Sequence, residues 1–133
     1  MADLKFDLND FSLDPEAVRD GVWIDFGGGA SFCIAPFDNQ GFEEMFRQLN
    51  KPYVDLGKKA DEDEQEEILC RAMAMHIVRG WKNVYRGDEP VVFSIDAAFE
   101  LLTTVPRVRS KIISEAQKLD NYKLKVREDD VEK

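Results

Sequence analysis

The chain has 133 residues with a formal net charge of −9, 44% hydrophobic, 11% aromatic and 34% charged residues. That length fits one domain with a modest core, and the apolar fraction excludes an intrinsically disordered composition. The acidic excess excludes a chain built to bind bare nucleic acid or an anionic membrane surface.

Other gross features narrow the class further. Cys33 and Cys70 stand far apart, with no CxxC pair and no metal spacing, and are expected as buried thiols in a reducing compartment. The start MADLKFDLNDF has no basic region followed by an apolar run, so it does not read as a signal peptide. No apolar stretch approaches the roughly 20 residues of a membrane span. A nucleic-acid-mimic role fits the charge, but acidic solubility is the commoner cause.

In chain order, residues 1–13 read as a flexible arm with a short extended piece around Phe6 to Phe11. Asp14 is a good N-cap, Pro15 suits the first helical position and Gly21 supplies a stop, so one or two helical turns are expected between them. The runs Val22–Phe26 and Ala30–Ile34 flank Gly27, Gly28 and Gly29, the signal of a β-hairpin over about 22–34. Val22, Ile24 and Phe26 would share a face with Phe32 and Ile34. The glycines lack the G-x-x-x-x-G-K-[ST] pattern of a phosphate loop.

Asn39 can cap a helix over about 40–50, with Pro52 expected to end it. An acidic lead-in from Asp61 to Glu67 opens the longest predicted helix, 63–86, and Arg79, Lys82 and Arg86 close it, complementing the helix dipole. Leu69, Met73, Ile77, Gly80, Trp81 and Val84 fall on one side of that helix at 100° per residue; Ile68, Met75 and Val78 interrupt its charged side. A helix apolar on more than one side is either sandwiched within the domain or has a face waiting for a partner. Gly80 costs roughly 1 kcal/mol mid-helix and suits a close backbone approach. Ser94 caps a helix over about 94–104, and a last helix covers about 107–121. The end, 123–133, is charge-dense and expected to be disordered. The predicted fold is a mainly α (α+β) domain over 14–122, with four to five helices and an N-terminal hairpin.

The chemistry-bearing residues are sparse. His76 is the one histidine, and a general base needs a partner and a pocket. The DEDEQEE run lacks the glycine and ligand spacing of a Ca²⁺ loop. No nucleophile, dinucleotide or zinc motif is present. No catalytic residue, metal or cofactor is assigned, and the expectation is a protein that is not an enzyme. Trp23, Gly80 and Trp81 are expected as structural anchors, because aromatics dominate burial energetics.

The ordered set Gly21-Val22-Trp23, Lys51-Pro52-Tyr53, Gly80-Trp81 and the Ser94-initiated helix resembles the tail assembly chaperones of long-tailed, siphovirus-type bacteriophages, over about Asp14 to Tyr122. The resemblance implies a non-enzymatic protein of the host bacterial cytoplasm, absent from the finished virion. It implies binding to the tape measure protein, the long helical ruler of the tail, which is kept soluble until tail-tube protein polymerises around it. It also leaves room for a frameshifted longer form. Under that reading Ile68, Met75 and Val78 form the partner-binding surface, with self-association as a further use of it. Two other classes remain: a terminator or connector retained in the virion, and an acidic inhibitor of a host protein.

Overall fold

The computed structural model describes residues 6–124. Capping chemistry sets most helix starts. Asp14 accepts a hydrogen bond from the Glu16 amide and opens α1 (Pro15–Asp20). Asn39 accepts from the Phe42 amide and opens α2 (Gln40–Asp55). Asp61 and Glu64 exchange a reciprocal capping box at the start of α3 (Glu62–His76), satisfying two otherwise orphan donors. Ser94 accepts from the Ala97 amide and opens α4 (Ile95–Thr104). Pro106 begins α5 (Pro106–Ala116) and a short α6 (Leu119–Tyr122) follows. These are the six α-helices among the described residues.

Strands β1 (Val22–Gly27), β2 (Ala30–Ile34) and β3 (Val78–Lys82) form an antiparallel sheet in that order. The β1–β2 hairpin pairs Ile24 with Phe32 and Val22 with Ile34, the shared face expected from the alternation. Its turn runs through Gly27, Gly28 and Gly29, with φ of +89°, +62° and +79°, a left-handed path that only glycine takes without strain. A two-residue ribbon, β4 (Tyr85–Arg86) with β5 (Glu89–Pro90), lies beyond β3.

The chain is thus a mixed α/β fold, with several boundaries differing from the sequence reading. The central helix stops at His76 rather than Arg86, and Val78, Gly80 and Trp81 lie on β3. The cause is a register shift between Cys33 and Ile34 against Gly80 and Val78, which leaves Arg79 as an extra residue. Such a bulge turns Val78 and Trp81, three apart, both inward, and that spacing imitates a helix face. α2 runs past Pro52 to Asp55: the missing amide falls in the final turns at an exposed position, where water can satisfy the freed carbonyl. The last helix breaks after Ala116, where Gln117 and Lys118 end the run.

The N-terminal arm is a 3-10 turn at Leu8–Phe11, capped by Asp7, instead of an extended piece. Its base is tied to the end of α6: the Asp14 amide donates to the Tyr122 carbonyl at 2.8 Å and the Leu124 amide to the Ser12 carbonyl at 2.7 Å. The first residues of the predicted arm, 1–5, and residues 125–133 of the predicted tail lie outside the described residues, whereas Lys123, placed in that tail, is ordered in a β-bridge with Leu13.

The core lies between the inner sheet face and helices α2 to α5. Phe32, Ile34, Met73, Ile77, Val78, Trp81, Leu102 and Ile112 are all buried in it. α3 is packed by α2 on one side and α4 on the other. Its apolar character on more than one side is therefore that of a sandwiched helix.

Candidate protein-interaction surface

The three residues read as a partner surface do not share one. Ile68 and Val78 are buried, at 8% and 2% exposure, while Met75 is 40% exposed. Ile68 lies at the α2–α3 seam, beside Phe46, Tyr53 and Leu69. Val78 opens β3 opposite Ile34. Only Met75 of the three stays on the surface, so the assignment of all three to one exposed face is corrected by sandwiching and by the early end of α3.

The tryptophans differ sharply. Trp81 is 8% exposed. Its Nε1–H donates to the Val91 carbonyl at 2.7 Å, and its ring meets Phe93 edge-on at 5.0 Å and Phe32 at 5.6 Å. Trp23 is 50% exposed on the outer sheet face. Its ring lies over Gly80, 3.6 Å from where a Cβ would stand, and the Lys82 ammonium sits 4.2 Å from its ring centroid, a cation–π arrangement. Gly80 thus accommodates a neighbouring ring rather than a backbone.

The acidic run is largely engaged in structure. Asp61 and Glu64 cap α3, the Tyr53 hydroxyl donates to Glu64, and Arg71 pairs with Glu67 at 3.0 Å one turn away. Arg109 reaches from α5 to Glu66, to the Leu102 carbonyl at 3.0 Å and to the Cys70 sulfur at 3.6 Å. The Glu64 carboxyl is held below its usual range by the Tyr53 hydroxyl first and the Asp61 amide second.

The thiols and the histidine are embedded in packing. Cys33 and Cys70 are free and buried, and burial pushes both thiols up, which suppresses thiolate chemistry. His76 is half-buried at the end of α3. Burial, then Arg79, lowers its pKa. Its carbonyl accepts from the Asn39 side chain, which also bonds the Pro36 carbonyl, so the end of α3 is stitched to the start of α2. Among the described residues no three His, Cys, Asp or Glu side chains gather as a metal site. No described helix is long and apolar enough to cross a membrane.

A cleft of about 550 Å³ lies where the glycine turn of the hairpin, the β3–β4 connection and the α4–α5 corner converge. Phe26, Ala30, Phe32, Val84, Val91, Ala97, Leu101, Val105 and Val108 supply its apolar wall. Arg86, Arg107 and Lys111 stand on it, and Glu100 is its one carboxylate among the described residues. Glu100 lies 3.6 Å from Arg86, and the Lys111 ammonium sits 4.8 Å from the Phe26 ring centroid. A chain of net charge −9 therefore presents an apolar cleft with a basic rim. Sequence reasoning placed Phe26 and Phe32 on one sheet face and put Val108 within the last helix, 107–121. It missed their convergence because the lining comes from three separated segments.

A concave apolar wall with a few charged groups on its rim is the general form of a binding site. Residues 37–133 match the profile of the YdaY prophage protein family, and the chain belongs to that family. It is thus a phage-derived protein. Neither the comparison with curated proteins nor that with solved structures gave a match.

Proposed function

We propose that this prophage protein is a tail assembly chaperone: it binds the tape measure protein, keeps it soluble and helps recruit tail-tube protein during tail morphogenesis. On this reading it works in the host cytoplasm, is not an enzyme, engages neither nucleic acid nor membrane, and leaves before the virion is complete. The observation that carries the proposal is the apolar cleft of about 550 Å³ on a chain of phage origin. A long helical ruler exposes apolar stripes before it is enclosed, and a holdase needs concave apolar surface to cover them. Phe46, Val54, Leu56 and Met75, exposed at 38%, 70%, 71% and 40%, add uncovered apolar area on α2, its C-cap and α3. The ordered motifs from Gly21 to Ser94 support the same reading.

The test is co-expression with the large helical product encoded beside this chain. The expected result is that the product moves from the insoluble to the soluble fraction and co-purifies with the acidic chain. An insoluble product in both conditions would overturn the proposal, as would stoichiometric presence of this chain in purified virions.

A further inference from the structure

The cleft and the N-terminal arm have opposite character on one molecule. Phe6, Leu8 and Phe11 are 76%, 75% and 52% exposed, and the two rings stack at 5.0 Å. Asp7 and Asp10 alternate with them, and the preceding sequence adds Asp3 and Lys5, leaving the segment net acidic. The arm springs from a base pinned to Tyr122 and Leu124, and none of its described residues lines the cleft. The cleft offers an apolar wall with Arg107 and Lys111 on its rim, neither in an ion pair among the described residues.

We propose that the arm of one copy, from Phe6 to Phe11, seats in the basic-rimmed cleft of a second copy, joining chains head to tail. The occupant is chosen by chemistry. The start of α3 is acidic, but the apolar side chains behind it are buried in the same monomer. The end of α2 exposes Val54 and Leu56, but Lys51 there is already paired with Asp55 and the Lys58 and Lys59 that follow would meet like charge. The arm joins aromatic side chains to carboxylates. A contact between two different patches is heterologous and extends into chains or rings instead of stopping at a dimer. The contact is small, so association is weak, in the range of roughly 10 μM to 1 mM. This inference goes beyond tape-measure binding and stands without it.

Sedimentation velocity across that concentration range tests it. The wild type should gain mass with concentration. Deleting residues 1–11, which leaves the core intact, should hold it monomeric. Arg107→Glu/Lys111→Glu and Asp7→Lys/Asp10→Lys, each checked for native circular dichroism, should each weaken association by about tenfold or more. Mixed in equal amounts, the two variants should associate again, because a basic arm then meets an acidic cleft. Three results would overturn the proposal: a wild type monomeric throughout, self-association that survives the deletion, or no recovery on mixing. If the wild type is monomeric while the cleft variant alone loses tape-measure solubilisation, the cleft serves the foreign partner and the chaperone reading stands without this one. Loss of solubilisation activity in every form, with self-association intact, separates the opposite case.

Discussion

Replacing each tryptophan by alanine gives the most direct measure of how the two indoles are used. An aromatic side chain buries up to about 250 Å², worth about 25 cal/mol per Å². Trp81, 8% exposed, then carries about 6 kcal/mol by area and Trp23, 50% exposed, about 3 kcal/mol. Residual burial in the denatured chain and the Cβ kept by alanine lower these to about 4 and about 2 kcal/mol. Trp81 loses more than area. Its hydrogen bond to the Val91 carbonyl is worth about 1 kcal/mol, and its contacts with Phe93 and Phe32 are worth about 0.5–1.5 kcal/mol each. Trp23 adds only the Lys82 contact, at about 0.5–1 kcal/mol. The expected gap is therefore at least about 2 kcal/mol, a large share of the 5–15 kcal/mol that roughly spans small-domain stability. Urea unfolding followed by far-ultraviolet circular dichroism reads it without relying on indole fluorescence, provided m is unchanged. Trp81→Phe should recover about half the loss by restoring ring contacts without the donor. Equal losses for Trp81→Ala and Trp23→Ala, or a larger one for Trp23→Ala, would refute the placement of Trp81 under the sheet.

Three further outcomes follow from particular contacts. A Cβ on Gly41 would stand 2.7 Å from His76 Nδ1, so Gly41→Ala should destabilise by about 1 kcal/mol, overpacking outweighing the propensity gain. In a His76→Ala background the same change should become neutral or stabilising, and a double-mutant cycle by chemical unfolding should give at least about 1 kcal/mol of coupling. His76 has a folded pKa lowered by burial and by Arg79. Its contribution is thus fully present above the unfolded value of about 6.5 and is lost as pH falls through the folded value, because the unfolded chain takes the proton first. Unfolding free energy measured from pH 8 downward should fall less steeply in His76→Gln than in wild type, with identical slopes refuting the assignment. Arg109 is 18% exposed and Glu66 42%, so the pair is discounted for solvent. Arg109→Met, which strands the Leu102 carbonyl, should cost about 1–3 kcal/mol, whereas Glu66→Gln should cost under about 1 kcal/mol by urea midpoint.

Legibility followed the range of the interaction that decides each element. Asp14, Asn39 and Ser94 cap their helices through bonds to amides two or three residues on, so a short window of sequence holds the whole cause. The hairpin was equally local, with alternation on both sides of the glycines. The end of α3 was not local. Whether Val78 to Lys82 continues a helix depends on β2, more than forty residues earlier, offering an edge for it. The bulge at Arg79 then supplied the helical spacing that hid the strand. The arm shows the same effect in reverse: its base is fixed by Tyr122 and Leu124, from the other end of the chain. The cleft needed three segments to meet, so its wall residues were visible only as members of separate elements.

The feature that first suggested a partner, a helix apolar on several sides, has an internal cause, and so does much of the dense acidic run. α3 is apolar on more than one side because α2 and α4 both pack on it, while Arg71 and Glu67 keep a charged, exposed stripe. Its carboxylates cap its own start, hold Tyr53 and anchor Arg109 across to α5. Other exposed features sit elsewhere: a basic-rimmed apolar cleft, an acidic aromatic arm, and the exposed side chains Met75, Phe46, Val54 and Leu56. The cleft and the arm oppose each other in charge, and the cleft is basic on a molecule whose overall charge repels its own kind. That local reversal lets copies with like net charge approach in the one orientation that sets the arm against the cleft, where opposite charges meet.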